Sequence, residues 1–457
     1  MKYHLLLLLS FFLQLSFAQS PNIIIIYADD LGYGDLSSFG ATDIATPNID
    51  QLAQEGIKFT DFYSASPVCS PSRAALLTGR LPQRMGIHSV FFPESFTGMP
   101  TDEVTLADLL KQKGYATAHV GKWHLGHHYQ FLPNQRGFDY YYGIPYSNDM
   151  ESVVYMKNNQ VDSFYIDQRY TTKTYTREAL NFIEQQHEKP FFLYLAHSMP
   201  HVPIYASPEF QGTSERGLYG DVIQEMDWST GQILKQLEAY DILENTLIIF
   251  SSDNGPWLVM EDHGGSSGQL REGKQFTFDG GMRVPTLAMW KGKLPAGKVY
   301  DKAAVMTDWV PTIAAFADID LLQDRDYDGE DLSQVLMGKA EQKSEEVFFF
   351  NMDSKYSLQG YRLGDWKIKL PYDGHKGSRG MKTVAPHDML LFNLRADPTE
   401  SDNLAKKQPE KLGEMMNAME VARARLGEFP MPLVIRTKQD NGHFKYLDQK
   451  RKMSERP

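Results

Sequence analysis

Several short clusters in this chain carry side chains suited to chemistry. Asp29-Asp30 and Asp253-Asn254 offer oxygen atoms only, which is the donor set of a hard cation such as Ca²⁺ or Mg²⁺ rather than zinc. Cys69 is the single cysteine among 457 residues, so it has no intrachain disulfide partner. It stands in Pro67-Val68-Cys69-Ser70-Pro71-Ser72-Arg73, between a proline-rich turn and a helix expected from about Ser72. The open amides of a helix N-terminus favour an anion, and Arg73 adds a charge that does not titrate away. Lys122 and His124 lie two apart after an apolar run. On extended chain such residues face one side, so both are expected to point at one group. Together these residue types imply a bound divalent cation, a nucleophile and an anionic substrate group.

An Asp-Asp pair alone is more often a solvated turn, and a lone cysteine is more often core. The surrounding elements favour chemistry instead. Asn22 to Ala28, with four consecutive isoleucines, reads as a buried strand of the parallel type. Further strands are expected at Ile57 to Tyr63, Ala116 to Val120, Pro190 to Ala196 and Thr246 to Ser251. Helices are expected after Thr46-Pro47, with Thr46 as cap, and over Thr105 to Lys113, Thr174 to Gln186 and Asp221 to Tyr240. Four polar clusters, beginning at Asp29, Gly121, His197 and Ser252, each follow directly after a strand.

Strands alternating with helices specify an α/β fold, a large and mostly parallel sheet sandwiched by helices. Ligands collect at the carboxyl ends of such strands, so the clusters are expected to share one site. After about residue 340 the pattern changes. Glu346 to Phe350, Leu358 to Leu363, Trp366 to Leu370 and Met389 to Leu394 read as a small antiparallel sheet, followed by a helix over Pro409 to Leu426. The expected division is a signal peptide over 1–18, a catalytic α/β domain over 19–340 and a C-terminal subdomain over 341–457.

Lys2 and His4, the apolar run Leu5 to Leu15 and the small residues of Ser16-Phe17-Ala18 have the order of a secretory signal peptide cut before Gln19. The run is too short to span a bilayer, and no cysteine follows it to carry a lipid anchor. The mature protein is expected to be secreted or periplasmic. A formal net charge of -12 argues against nucleic acid and anionic membrane as partners. An anionic substrate must then be drawn in by local positive charge.

Cys69-Ser70-Pro71-Ser72-Arg73, continued by Leu77-Thr78-Gly79-Arg80, resembles the signature of the formylglycine-dependent sulfatases, in the arylsulfatase A and N-acetylgalactosamine-6-sulfatase branch. That resemblance implies the alkaline-phosphatase-like fold and oxidation of Cys69 to Cα-formylglycine by a formylglycine-generating enzyme. It places Asp29, Asp30, Asp253 and Asn254 around Ca²⁺, with the modified Cys69 completing the ligands. Lys122, His201 and Lys274 fall on sulfate-binding positions, and Ser147, in Gly143 to Asp149, on a sulfate contact. His197 lies in the same segment as His201. Relatives often have His where Asn148 stands, and Glu where Asp279 stands, so Asp279 receives no site role. One hydroxyl of hydrated formylglycine would attack sulfur and expel the alcohol. The other would lose a proton, and collapse to the aldehyde would release sulfate. His124 would take that proton and His201 would protonate the leaving oxygen. Arg73, Lys122 and Lys274 would stabilise charge on the sulfate oxygens.

The expected activity is hydrolysis of sulfate esters of sulfated sugars, of glycosaminoglycan or algal type. Trp257, Tyr146, Phe91 and Phe92 are candidate stacking surfaces. The alternatives are a phosphodiesterase or phosphonate hydrolase of the same superfamily, and a non-catalytic protein that binds sulfated sugar.

Overall fold

The computed structural model describes residues 20–150, 153–164, 166–342, 344–353, 355–377 and 382–435. The expected signal peptide and the polar stretch Lys438 to Pro457 lie outside the described residues.

Alternation along Asn22–Ala28 shows how the large sheet is buried. Ile23, Ile25 and Tyr27 enter one hydrophobic cluster, and Ile24, Ile26 and Ala28 enter another. Successive strand residues point to opposite faces, so both faces are covered. Full burial of each isoleucine contributes roughly 2 kcal/mol. Helices Cys69–Thr78, Leu106–Gln112 and Trp309–Phe316 supply the first face. Helices Pro47–Gln54, Thr171–Gln186 and Leu218–Ala239 supply the second.

Ten strands form this sheet, in the order Lys298–Tyr300, Ile57–Phe59, Thr286–Met289, Thr246–Ser252, Asn22–Ala28, Phe191–Ala196, Ala116–Gly121, Tyr140–Gly143, Tyr155–Lys157 and Gln160–Ser163. The five from Thr246–Ser252 to Tyr140–Gly143 are parallel. Thr286–Met289 runs antiparallel to both its neighbours. The central parallel block brings its loops out at one end.

Three local expectations are corrected. Ile57 to Tyr63 is not one strand: Ile57–Phe59 stays in the large sheet, while Phe62–Tyr63 pairs with Ala304–Val305. The break is at Thr60-Asp61, where Arg283 donates to the Thr60 carbonyl at 2.6 Å and to Asp61 at 2.9 Å. The cysteine helix starts at Cys69 itself rather than near Ser72, because Pro71 is tolerated in a first turn that lacks amide acceptors anyway. Thr46 does not cap its helix. Its hydroxyl is engaged by Ser37 and Asp50, and Asp227 accepts from the Ile49 amide at 2.8 Å instead.

Beyond the large sheet, Glu346–Phe350, Leu358–Leu363, Trp366–Lys369 and Leu390–Asn393 form a four-stranded antiparallel sheet. Helix Pro409–Leu426 lays Met415, Met419 and Ala422 against its Tyr361, Ile368 and Leu391.

Candidate active site

Loops leaving four parallel strands converge on the first turn of helix Cys69–Thr78. Asn22–Ala28 leads into Asp29-Asp30, with Asp30 at φ 65°. Turning the chain there lets the Asp30 amide donate to Asp253 Oδ1 at 3.1 Å, which ties two aspartate loops together. Ala116–Gly121 leads into Lys122 and His124, Phe191–Ala196 into His201, and Thr246–Ser252 into Asp253-Asn254. All of these side chains are buried.

The cluster is a balanced lattice of charge. Lys122 Nζ donates to Asp29 Oδ2 at 2.5 Å and to Ser147 Oγ at 3.1 Å. Lys274 Nζ donates to Asp30 Oδ2 at 2.7 Å, and His201 Nε2 lies 3.5 Å from the same oxygen. Asn254 donates to Asp30 Oδ1 at 2.7 Å. Arg73 departs from the expectation that it faces the substrate. Its guanidinium binds Asp253 Oδ2 through Nε at 2.9 Å and Nη2 at 2.8 Å, approaches Asp29 at 3.4 Å, and donates to the Lys122 carbonyl at 3.1 Å. Its fork therefore holds the carboxylate loops together. Burial works against ionised Asp29, but Lys122, His201 and Arg73 hold its carboxyl below the usual range.

Cys69 Sγ lies 3.5 Å from Asp29 Oδ1 and 4.0 Å from Asp30 Oδ1. Burial pushes the thiol well above its ordinary range, although Lys122 and Lys274 pull the other way. The helix N-terminus and its basic neighbours thus do not make Cys69 a thiolate, and a thiol is a weak nucleophile.

The same geometry fits a cation. Ligand atoms of Asp29, Asp30, Cys69 and His201 lie within 4.8 Å of one another. Asn254 Oδ1 is a buried acceptor without a hydrogen-bond donor, and such an atom is costly unless something binds it. Asp29 and Asp30 of this group, with Asp253, held beside them by the Asp30 amide, and with Asn254 Oδ1, would offer three carboxylates and a carbonyl oxygen, a set that suits a hard divalent ion.

A backbone carbonyl fixes one ring hydrogen on each of the two histidines. His124 Nε2 lies 2.9 Å from the Phe91 carbonyl. A carbonyl only accepts, so Nε2 carries the hydrogen and Nδ1 the lone pair. Burial, then the charges of Lys122 and Arg73, keep this ring well below the usual imidazole range. His201 Nδ1 donates to the Val202 carbonyl at 2.6 Å, which leaves Nε2 directed at the cluster. His124 has φ 59°, so the extended-chain argument for it fails even though the ring arrives at the site. His197 lies apart, with its Nε2 3.5 Å from Ser229 Oγ on a helix of the second face. Phe91 and Phe92 are buried and cannot stack on a ligand. Trp257 remains at the site, with Lys274 Nζ 4.4 Å from its ring centroid.

Sequence reasoning missed Asp149. Burial raises the cost of its charge, yet His201, a hydrogen bond from Ser147, Lys122 and Lys274 hold the carboxyl below its usual range. Its position two residues after Ser147 was the available signal.

The sulfatase family model matches residues 21–319. The chain belongs to the sulfatase family. This sulfatase is 41% identical to N-acetylgalactosamine-6-sulfatase of Canis lupus familiaris, over 89% of this chain and 85% of that one. It is 38% identical to arylsulfatase A of Bos taurus, over 89% and 87%. The crystal structure of Ps i-CgsB in complex with k-i-k-neocarrahexaose superposes with a TM-score of 0.80 at 30% identity, covering 95% of this chain and 99% of that one. The large mixed sheet with a small antiparallel companion is the alkaline-phosphatase-like arrangement, and the activity is that of a sulfuric ester hydrolase.

Proposed function

We propose that this sulfatase is exported and hydrolyses sulfate esters of sulfated sugars, using Ca²⁺ and a formylglycine made from Cys69. The observation that carries the reading is the buried Cys69 thiol within 4.0 Å of two aspartates, beside an acceptor on Asn254 that lacks a donor. The sugar class comes from relatives named for N-acetylgalactosamine 6-sulfate and from a neighbour that holds a neocarrahexaose.

Asp29, Asp30, Asp253 and Asn254, with modified Cys69, would hold the cation, which when bound supplies positive charge to polarise the sulfate. The aldehyde, once hydrated, supplies an oxygen nucleophile that the thiol cannot. Lys122 and Lys274 bind the neighbouring Asp29 and Asp30 and would present two ammonium groups to sulfate oxygens, with Ser147 beside Lys122. His124 Nδ1, bare and neutral, is placed to take a proton. His201 Nε2, once it carries a proton, would give it to the departing alcohol oxygen. Arg73 keeps Asp29 and Asp253 in register.

The test is mass spectrometry of the Cys69 peptide from the native host, followed by turnover of sulfated oligosaccharides with calcium or with chelator. An aldehyde mass and calcium-dependent sulfate release are expected. An unmodified thiol in active protein would overturn the nucleophile. Turnover of phosphate diesters in preference to sulfate monoesters would replace the substrate class.

A further inference from the structure

A row of aromatic rings runs from Tyr146, the neighbour of Ser147 in the chain, to the surface. Tyr146 directly precedes Ser147, whose hydroxyl accepts from Lys122. The Tyr146 ring lies 4.8 Å from His127. His127 lies 4.3 Å from His128, and His128 stacks on Phe96 at 5.7 Å and 25°. Phe96 is 72% exposed, and Tyr129, next in the chain after His128, is 62% exposed. One of these exposed rings stacks on His128 and the other follows His128 in the chain, and large apolar side chains exposed in one region mark a binding surface.

The row is built rigidly. Gly98 and Gly126 let two loops touch: a Cβ on Gly98 would meet the Phe131 ring at 2.5 Å, and one on Gly126 would meet Gly98 Cα at 2.7 Å. The Met99 amide donates to the Leu125 carbonyl at 2.9 Å, and Trp123 Nε1 to the Phe131 carbonyl at 2.8 Å. Behind the ledge, Ser95 donates to the Ile435 carbonyl, and Thr97 to the Val434 carbonyl at 2.8 Å. The rings are therefore held in place before any ligand arrives. His127 is pushed down to about 4 by burial and by His128, so at neutral pH its ring is uncharged.

We propose that Tyr146, His127, His128 and Phe96 form a secondary binding site for the unreacting sugars of a polysaccharide chain whose sulfated unit sits at the cluster. The proposal rests on the sulfated-sugar reading above and extends it to substrate length. Flat aromatic rings suit the C–H faces of sugar rings, through dispersion contacts. The continuity of the row with the Ser147 loop makes the occupant the same chain as the reacting sugar, not a separate partner.

Phe96→Ala, alone and with Tyr129→Ala, is compared with the natural protein on two kinds of substrate. 4-Methylumbelliferyl sulfate has no further sugars to lie along the ledge. Chondroitin 6-sulfate and carrageenan oligosaccharides of two, four and six sugars have progressively more. The expected result is a three- to tenfold loss of kcat/KM on the longest chains, through KM, with the aryl ester unchanged. Equal turnover of six-sugar chains by both proteins overturns the ledge. So does an equal loss on the aryl ester, which would mean that Phe96 only supports its loop. If the natural protein hydrolyses none of the sugars, calorimetric titration of the six-sugar chains still decides. Weaker binding by the variants keeps the ledge and rejects sugar-sulfate hydrolysis, and indistinguishable or absent binding rejects the ledge.

Discussion

At the scale of the residue, Arg73 is the position where the structure most changes the argument. Its guanidinium is fully buried and divided between Asp253 and Asp29, and it lies 5.5 Å from the Tyr27 ring centroid. Arg73→Ala leaves two buried carboxylates short of a partner, which costs about 3–5 kcal/mol. Urea unfolding in chelator should show a midpoint lowered accordingly, with saturating Ca²⁺ recovering part of the loss. Arg73→Lys should restore charge but not the paired contact with Asp253, because a lysine lacks the planar fork. Metal removal has its own signature. Asp29, Asp30, Asp253 and Asn254 converge, so a chelator should lower the melting temperature of the natural protein and abolish sulfate release, and added Ca²⁺ should reverse both. An unchanged melting temperature would reject a structural contribution from the cation.

At the scale of the element, helix Pro47–Gln54 shows what a local signal can and cannot say. Thr46-Pro47 marks its start correctly, yet the acceptor for Ile49 is Asp227 from helix Leu218–Ala239, which no local window contains. Burial raises the Asp227 carboxyl to about 6, above its unfolded value of about 3.9. Its stabilising contribution is thus complete below about pH 4 and is lost as pH rises through about 6. Asp227→Asn keeps an acceptor for Ile49 and does not ionise. From pH 4 to pH 7 it should gain stability relative to the natural protein, by on the order of 2 kcal/mol, read from urea midpoints at unchanged slope. Asp227→Ala, which removes the cap, should cost about 1 kcal/mol at low pH.

At the scale of the whole molecule, the small sheet grips the loop that carries Lys274. Lys367, on strand Trp366–Lys369, is fully buried between Asp279 at 2.8 Å and Glu400 at 2.9 Å. Glu400 also accepts from the Asp279 amide at 2.7 Å, and its carbonyl accepts from Arg271 at 2.8 Å. Lys369 donates to Thr277 at 2.5 Å. Lys367→Met should therefore destabilise the protein by about 3–5 kcal/mol and lower kcat as well, because the segment from Arg271 to Asp279 loses its anchor. A stability loss with unchanged kcat would limit that network to folding. Asp279 itself, given no role from the sequence, is a principal contact in this grip. Much is legible in the sequence: the strand runs ending at Asp29, Gly121, His197 and Ser252, and the Cys69 to Arg80 motif. Hydrophobic period, turn residues and oxygen-rich clusters are local properties, and a chain writes them consecutively. Only the folded structure decided that Arg73 faces carboxylates, that His124 arrives through a left-handed turn, that Phe91 is core while Phe96 is exposed, and that Asp227 and Lys367 join distant segments. Those outcomes depend on which side chains share a small volume, and contacts between residues far apart in sequence leave no local pattern.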